Sequence, residues 1–301
     1  MNLTPVLLFL TSFVFSANNI GVIRPGFQGT AYRRRVLYLG LTALGFALGF
    51  FAEGYKVGSG IVRDISPPTQ SGLELSLLVT LLVMGAFTLL RLPSSISNVA
   101  VGALLGPLVA SGGLPPVGPL TTIVVAWLVA PATAALLSLA IYAVHNKVIW
   151  AWPLLKVSMF NRYFGILAIL LSSYTLSANN LGMLTSFGSG ALDSALILIA
   201  ALLGVFILSN LVASTMGWKL AVLTPGSYSS ALLGGSVNLW VYTQLGIPAS
   251  LTQSVVAGVM VLSLVTRPSV VNTRTMFEIL GSWPFFLAIS FVAAFGAWFL
   301  L

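Results

Sequence analysis

The sequence predicts an all-α, polytopic membrane protein with about ten transmembrane helices in two inverted-topology repeats of five. Three observations predict it. Of its 301 residues, 58% are hydrophobic and 6% are charged, and the mean hydropathy is +1.04, a balance foreign to soluble globular domains. Apolar runs recur along the whole chain, several long enough to cross the ~30 Å hydrocarbon core at about 1.5 Å per residue. The tetrapeptide Ser16-Ala17-Asn18-Asn19 returns as Ser177-Ala178-Asn179-Asn180, each copy interrupting an apolar stretch. A β-barrel would show short segments alternating apolar with polar residues, which these continuous Leu/Ala/Val runs are not.

Taken in order, the first half supplies crossings at 3–21, 36–51, 75–90, a short one at 94–111 and one at 117–144, with Pro131 expected to kink the last. The second half supplies 162–181, 195–208, 227–245, a short crossing at 249–265 and 283–301. The first run followed by Ser-Ala-Asn mimics a signal peptide. It has no basic leader beyond the α-amino group, and the supposed cleavage motif reappears deep in the chain, so it is read as a helix. An odd count of five makes the second half enter the bilayer from the opposite side. The expected organisation is an N-terminal repeat over 1–145, a cytoplasmic linker over 146–161 and a C-terminal repeat over 162–301.

The repeat extends beyond the tetrapeptide. At the same offset, 177 − 16 = 161, Ser12 meets Ser173, Phe13 meets Tyr174, Gly21 meets Gly182 and Gly29 meets Gly190. A second pair aligns at 248 − 93 = 155: Pro93-Ser94-Ser95-Ile96-Ser97-Asn98 with Pro248-Ala249-Ser250-Leu251-Thr252-Gln253. Element order is the same in both halves, the mark of two pseudo-equivalent bundles.

Basic residues test the topology independently, because cytoplasmic loops collect them. With the segment after the first Asn motif placed inside, Arg24, Arg33, Arg34, Arg35, Arg91, Lys147, Lys156, Arg162, Lys219, Arg267 and Arg274 fall inside, and Lys56 and Arg63 outside. Both termini are then expected outside, in a multi-pass protein of the plasma membrane. The net charge of +8 sits between apolar segments and forms no stripe for nucleic acid. The absence of cysteine excludes disulfides and thiolate chemistry. His145 is expected as a membrane-interface residue, since one imidazole builds no metal site.

Asparagine pairs are costly in hydrocarbon unless hydrogen-bonded. A helix broken at Asn-Asn would offer backbone N–H groups at one half-helix start and carbonyls at the other half-helix end, both suited to ions. In the second element, proline pre-sets a first helical turn and Ser/Thr hydroxyls add donors at its positive end. The candidate substrate-binding residues are therefore Ser16, Asn18, Asn19, Ser177, Asn179 and Asn180, with Ser95, Ser97, Asn98, Ser250, Thr252 and Gln253.

On these residues the chain resembles the inorganic phosphate transporter family, which includes sulfate permeases. In that family each of two inverted repeats carries Gly-Ala-Asn-Asp and later Pro-x-Ser-Thr-Thr-His. The two Ser-Ala-Asn-Asn copies stand at the first signature and the two Pro-led hexapeptides at the second. The stretch Leu223-Thr224-Pro225 through Gln244-Leu245-Gly246-Ile247-Pro248 resembles the family's approach to its second proline motif. The resemblance covers nearly the full length. It implies a transporter with no resident cofactor and a sodium or proton co-ion. Asn19 and Asn180 replace the family's aspartates, Asn98 and Gln253 replace its histidines, and Gly45 and Phe46 lie where an acidic residue is usual, which argues against sodium.

The leading expectation is a secondary transporter of an inorganic tetrahedral oxyanion, phosphate or sulfate, working by alternating access. An amide-lined site does not require a protonated anion, so sulfate is admitted alongside phosphate. The alternative is a channel for water or a small neutral solute lined by the Asn motifs. An enzyme is not expected, because no acid–base or metal constellation can be assembled. Expected partners are the anion and the lipid bilayer, without nucleic acid; a homodimer is compatible.

Overall fold

The computed structural model of the chain describes residues 2–23, 32–65, 69–90, 94–188, 190–208, 223–266, 268 and 273–300. Eleven helices span them: α1 Thr4–Ile23, α2 Tyr32–Gly58, a short α3 Ile61–Asp64, α4 Gln70–Leu89, α5 Ile96–Ala110, α6 Val117–Ile149, α7 Leu154–Leu176, α8 Ala191–Leu208, α9 Pro225–Gln244, α10 Leu251–Thr266 and α11 Thr273–Trp298. Each of the ten expected crossings is helical. Six of the helices are long and apolar enough to cross a membrane, and α5, α8 and α10 are shorter apolar helices. Unlike these, α9 is rich in buried serine and glycine; it is shielded by α6, α7 and α10.

The inverted repeat is written in the packing. Matching α1, α2, α4, α5 and α6 with α7, α8, α9, α10 and α11 turns each major contact into another: α1–α8 into α2–α7, α5–α11 into α6–α10, α1–α4 into α7–α9, and α4–α5 into α9–α10. Each repeat thus lends its second and fifth helices to the other. The crossed pairs approach closely because glycine allows it. A Cβ on Gly49 of α2 would overlap the Tyr174 carbonyl of α7, and one on Gly204 of α8 would overlap the Phe13 carbonyl of α1.

The bundle has two distinguishable ends. At the first, the starts of α1 and α4 meet: Leu3 N–H donates to Glu74 Oε1 (2.9 Å) and Gln70 Nε2 to Thr4 Oγ1 (2.6 Å). Lys56 and Arg63 lie at this end, near the ends of α2 and α3. At the second, the end of α6 meets the starts of α7 and α9, and Lys147, Lys156 and Arg162 gather there. Several basic residues of the topology argument, Arg24, Arg91, Lys219 and Arg267, lie outside the described residues, as do Pro93 and Gly29.

The linker between the repeats is shorter than expected. Residues 146–149 and 154–161, expected in a linker, extend α6 and α7, leaving 150–153 between them. α6 continues as one helix through Pro131. His145 is buried within the protein: its Nε2 is 2.7 Å from Asn161 Oδ1 and its ring packs on Phe160 and Phe164.

Candidate functional site

The paired asparagines fasten helix to loop in the same way in both repeats. Asn18 Oδ1 accepts the Ser94 backbone N–H (2.9 Å) and the Ser94 hydroxyl (3.3 Å), while its Nδ2 donates to Thr88 Oγ1 (3.0 Å). Asn179 Oδ1 accepts the Ala249 N–H (3.0 Å), and its Nδ2 donates to Thr243 Oγ1 (3.1 Å) and to the Ile247 carbonyl (3.0 Å). Asn18 and Asn179 differ by 161, Thr88 and Thr243 by 155, and Ser94 and Ala249 by 155. An amide is needed here because one side chain must both donate and accept. Both asparagines are fully buried, so these bonds meet the desolvation cost of the polar groups they join.

The second asparagines reach further. Asn19 Nδ2 donates back to the Phe15 carbonyl (3.0 Å), and its Oδ1 accepts from Thr252 Oγ1 (3.0 Å), joining α1 of one repeat to the start of α10 in the other. Asn180 Nδ2 donates to the Ala249 carbonyl (2.5 Å). Serine caps both helix starts: Ser95 Oγ accepts the Asn98 N–H, and Ser250 Oγ accepts the Gln253 N–H (3.3 Å). Ser95 and Ser97 share a hydrogen bond (2.9 Å), and Asn98 Oδ1 accepts from Ser95 (2.8 Å) while its Nδ2 reaches the Trp283 carbonyl (3.1 Å). All twelve candidate residues are at most 5% exposed.

Two local expectations are corrected. The break at Asn-Asn occurs in one copy only. Ser16–Asn19 lie inside the unbroken α1, whereas Ser177–Leu181 form a π-helical turn that passes into a 3₁₀ turn over Gly182–Ser186. In α1, Ser16 Oγ donates to the Ser12 carbonyl (3.0 Å); Ser177 Oγ is buried with no hydrogen-bond partner among the described residues. The 3₁₀ turn lies closely against α2: a Cβ on Gly182 would overlap the Gly54 carbonyl, and one on Gly58 the Thr185 hydroxyl. Pro248 does not open a helix. It precedes the Ser250 cap by two residues, and its carbonyl accepts from Trp127 Nε1 (3.0 Å) of α6.

Sequence reasoning missed Thr88, Thr243 and Trp127. The two threonines share the 155-residue offset and could have been found by extending that alignment upstream. Trp127 carries no repeat signal. Also missed was Asn238, which donates to the Ala130 carbonyl (3.0 Å) and Ser254 Oγ (3.2 Å) and accepts from Thr133 (2.7 Å).

None of the twelve residues is ionised, and among the described residues no group of three or more His, Asp or Glu could hold a metal ion. For sodium the centre offers neutral oxygens only, with no carboxylate to balance the charge. For an anion it offers hydroxyls, amide N–H₂ groups and the first-turn N–H groups of two helices.

Fold and centre together define a multi-pass α-helical membrane protein of inverted-repeat transporter architecture. No family model matches the chain. It is 26% identical over 292 residues to a protein of Methanocaldococcus jannaschii named "Putative phosphate permease", covering 94% of this chain and 92% of that relative. Among solved structures it is similar to one titled "The sodium-dependent phosphate transporter", with a TM-score of 0.80 at 18% identity over 99% of this chain and 98% of that one. The resemblance to inorganic phosphate transporters read from the Asn and Pro motifs is borne out by both.

Proposed function

We propose that this chain is a secondary transporter, not an enzyme, moving an inorganic tetrahedral oxyanion, phosphate or sulfate, by alternating access between its repeats. One observation carries the reading: Asn18 holds Ser94 before α5 while the adjacent Asn19 holds Thr252 on α10, so helix starts from opposite repeats meet at one asparagine pair. Each helix start carries a positive dipole end worth roughly half a charge, and in a dry centre this is enough to favour an anion without lysine or arginine. Ser97 supplies a hydroxyl whose proton can turn toward the anion's oxygens, while Thr252 donates its own to Asn19 and fixes the helix start. No carboxylate is present to take a proton from phosphate, so the fully deprotonated sulfate ion suits the centre as well.

The names borne by the relatives support phosphate as one substrate. With the centre closed to solvent, access from either side needs one repeat to rock against the other. Two clefts of similar size, about 550 and 560 Å³, lie at opposite ends, one by the starts of α1, α4 and α8 and one by the starts of α7 and α9. The excess of Lys147, Lys156 and Arg162 at the second end supports a cytoplasmic placement there, with both termini on the outer face of the plasma membrane.

The test is uptake of labelled sulfate and phosphate, each in competition with the other, by proteoliposomes at two pH values. Saturable uptake with counterflow is expected, with sulfate competing at both pH values. No uptake of either ion, or uptake that neither saturates nor shows counterflow, overturns the reading.

A further inference from the structure

The cleft at the second end has an anion-binding character of its own. It is about 560 Å³ in volume, lies between α2, α7 and α9, and is lined by Tyr38, Asn161, Arg162, Gly165, Pro225 and Ser229 among others. Its lining differs in chemistry from that of its counterpart at the first end. At the first end, Glu74 Oε1 accepts the Leu3 N–H (2.9 Å) and the Thr4 hydroxyl (3.3 Å), so a carboxylate fills the corner between α1 and α4. The positions equivalent to Glu74 and Thr4, at offsets of 155 and 161, are Ser229 and Gly165. The carboxylate has become a hydroxyl and the threonine side chain has gone. A Cβ built on Gly165 would meet nothing nearer than Ser229 Oγ at 3.6 Å.

The replacement leaves a donor without an acceptor. Ser229 is 6% exposed, lines the cleft, and its hydroxyl meets no hydrogen-bond partner among the described residues. Arg162 stands on the same cleft, and the ion pair found among the described residues is Lys56–Glu53 at the other end. Pro225, the first residue of the 20-residue α9, adds a helix start to the wall. Among the described residues no carboxylate lines this cleft, whereas its counterpart at the first end holds Asp193 as well as Arg63.

We propose that this cleft is a second oxyanion site, separate from the asparagine centre, which takes a phosphate-type group with Arg162 and Ser229 as its donors. Guanidinium and hydroxyl suit both a free inorganic ion and the headgroup of an anionic lipid. The site shares no residue with the asparagine centre and stands whether or not that centre transports.

The chain has no native cysteine, so Met159→Cys, on the cleft wall, accepts a single environment-sensitive fluorophore. The labelled protein is placed in nanodiscs of phosphatidylcholine and titrated with inorganic phosphate against chloride at constant ionic strength. It is then examined in discs of rising phosphatidylglycerol content. A saturable phosphate response identifies a free-ion site, and a response set by phosphatidylglycerol identifies a headgroup site; either supports the proposal. Arg162→Gln should weaken the response by about ten-fold or more. Ser229→Ala, which is small enough to keep the fold, should weaken it by about three-fold or more. Thr252→Val, in the asparagine centre, should leave it intact even where uptake is lost. The proposal is overturned if chloride acts as phosphate does, if neither phosphate nor phosphatidylglycerol moves the signal, or if Arg162→Gln responds as the parent does.

Discussion

Replacing Asn179 with leucine tests the asparagine centre most directly. Leucine is close to asparagine in size and fills the site, so no water enters to take over the lost bonds. The substitution strips the Ala249 N–H and the Ile247 carbonyl of their partner, and Thr243 Oγ1 of one donor. Ala249 is fully buried and Ile247 nearly so. An unpaired buried backbone group costs about 1–3 kcal/mol, so two of them amount to roughly 2–6 kcal/mol. Thr243 still donates to the Leu239 carbonyl (2.9 Å) and adds little. Because the affected loop leads directly into α10, the cost appears as displacement of that helix start from the centre. Each 1.4 kcal/mol is about ten-fold, so uptake into proteoliposomes should fall at least ten-fold at equal protein content, with a lowered unfolding temperature. The control Thr243→Val removes one acceptor while leaving both backbone bonds, and should cost about 1 kcal/mol. Parental uptake by the leucine variant at equal content would refute the assignment of Asn179 to the centre.

Other expectations are open to simple measurement. Asn19→Asp sets a carboxylate against the Phe15 carbonyl, where the amide N–H₂ now donates; the repulsion should weaken anion affinity by about ten-fold, read as a raised KM for sulfate uptake. With no carboxylate among the twelve central residues, replacing external sodium by choline should leave uptake within about two-fold, a change worth less than about 0.5 kcal/mol; collapse of uptake would show that neutral oxygens suffice for sodium. Gly49→Val drives a branched side chain into the Tyr174 backbone. It should abolish monodisperse, folded protein in detergent chromatography, whereas Gly85→Val, at a position with nothing within 4 Å, should not.

Much of the fold was legible because hydropathy is a local property. Runs such as 75–90 and 117–144 declare themselves without reference to neighbours, since in lipid a backbone can satisfy its own polar groups only as helix or closed barrel. The two-fold relation was legible from eight letters, Ser-Ala-Asn-Asn twice, and its inverted sense from an odd number of crossings. The site was legible as a set of residue types for a related reason: amides and hydroxyls in an apolar chain must find partners. Which partners they find was not legible. Thr88 and Trp127 look like ordinary helix residues until Asn18 and the Pro248 carbonyl are placed beside them.

By itself, then, the sequence determined the membrane class, the ten helical segments, the pairing of the halves and the neutral character of the centre. Those follow from composition and spacing, which every residue carries wherever it lies. Only the tertiary structure decided that α2 and α8 cross to the opposite repeats, and that one Ser-Ala-Asn-Asn stays α-helical while its twin takes a π turn. It also decided that the Ser229 hydroxyl faces its cleft without a partner among the described residues, where the equivalent Glu74 accepts from Leu3 and Thr4. The physical reason is that identical letters have identical intrinsic preferences. When two copies take different shapes, the difference comes from what packs against them.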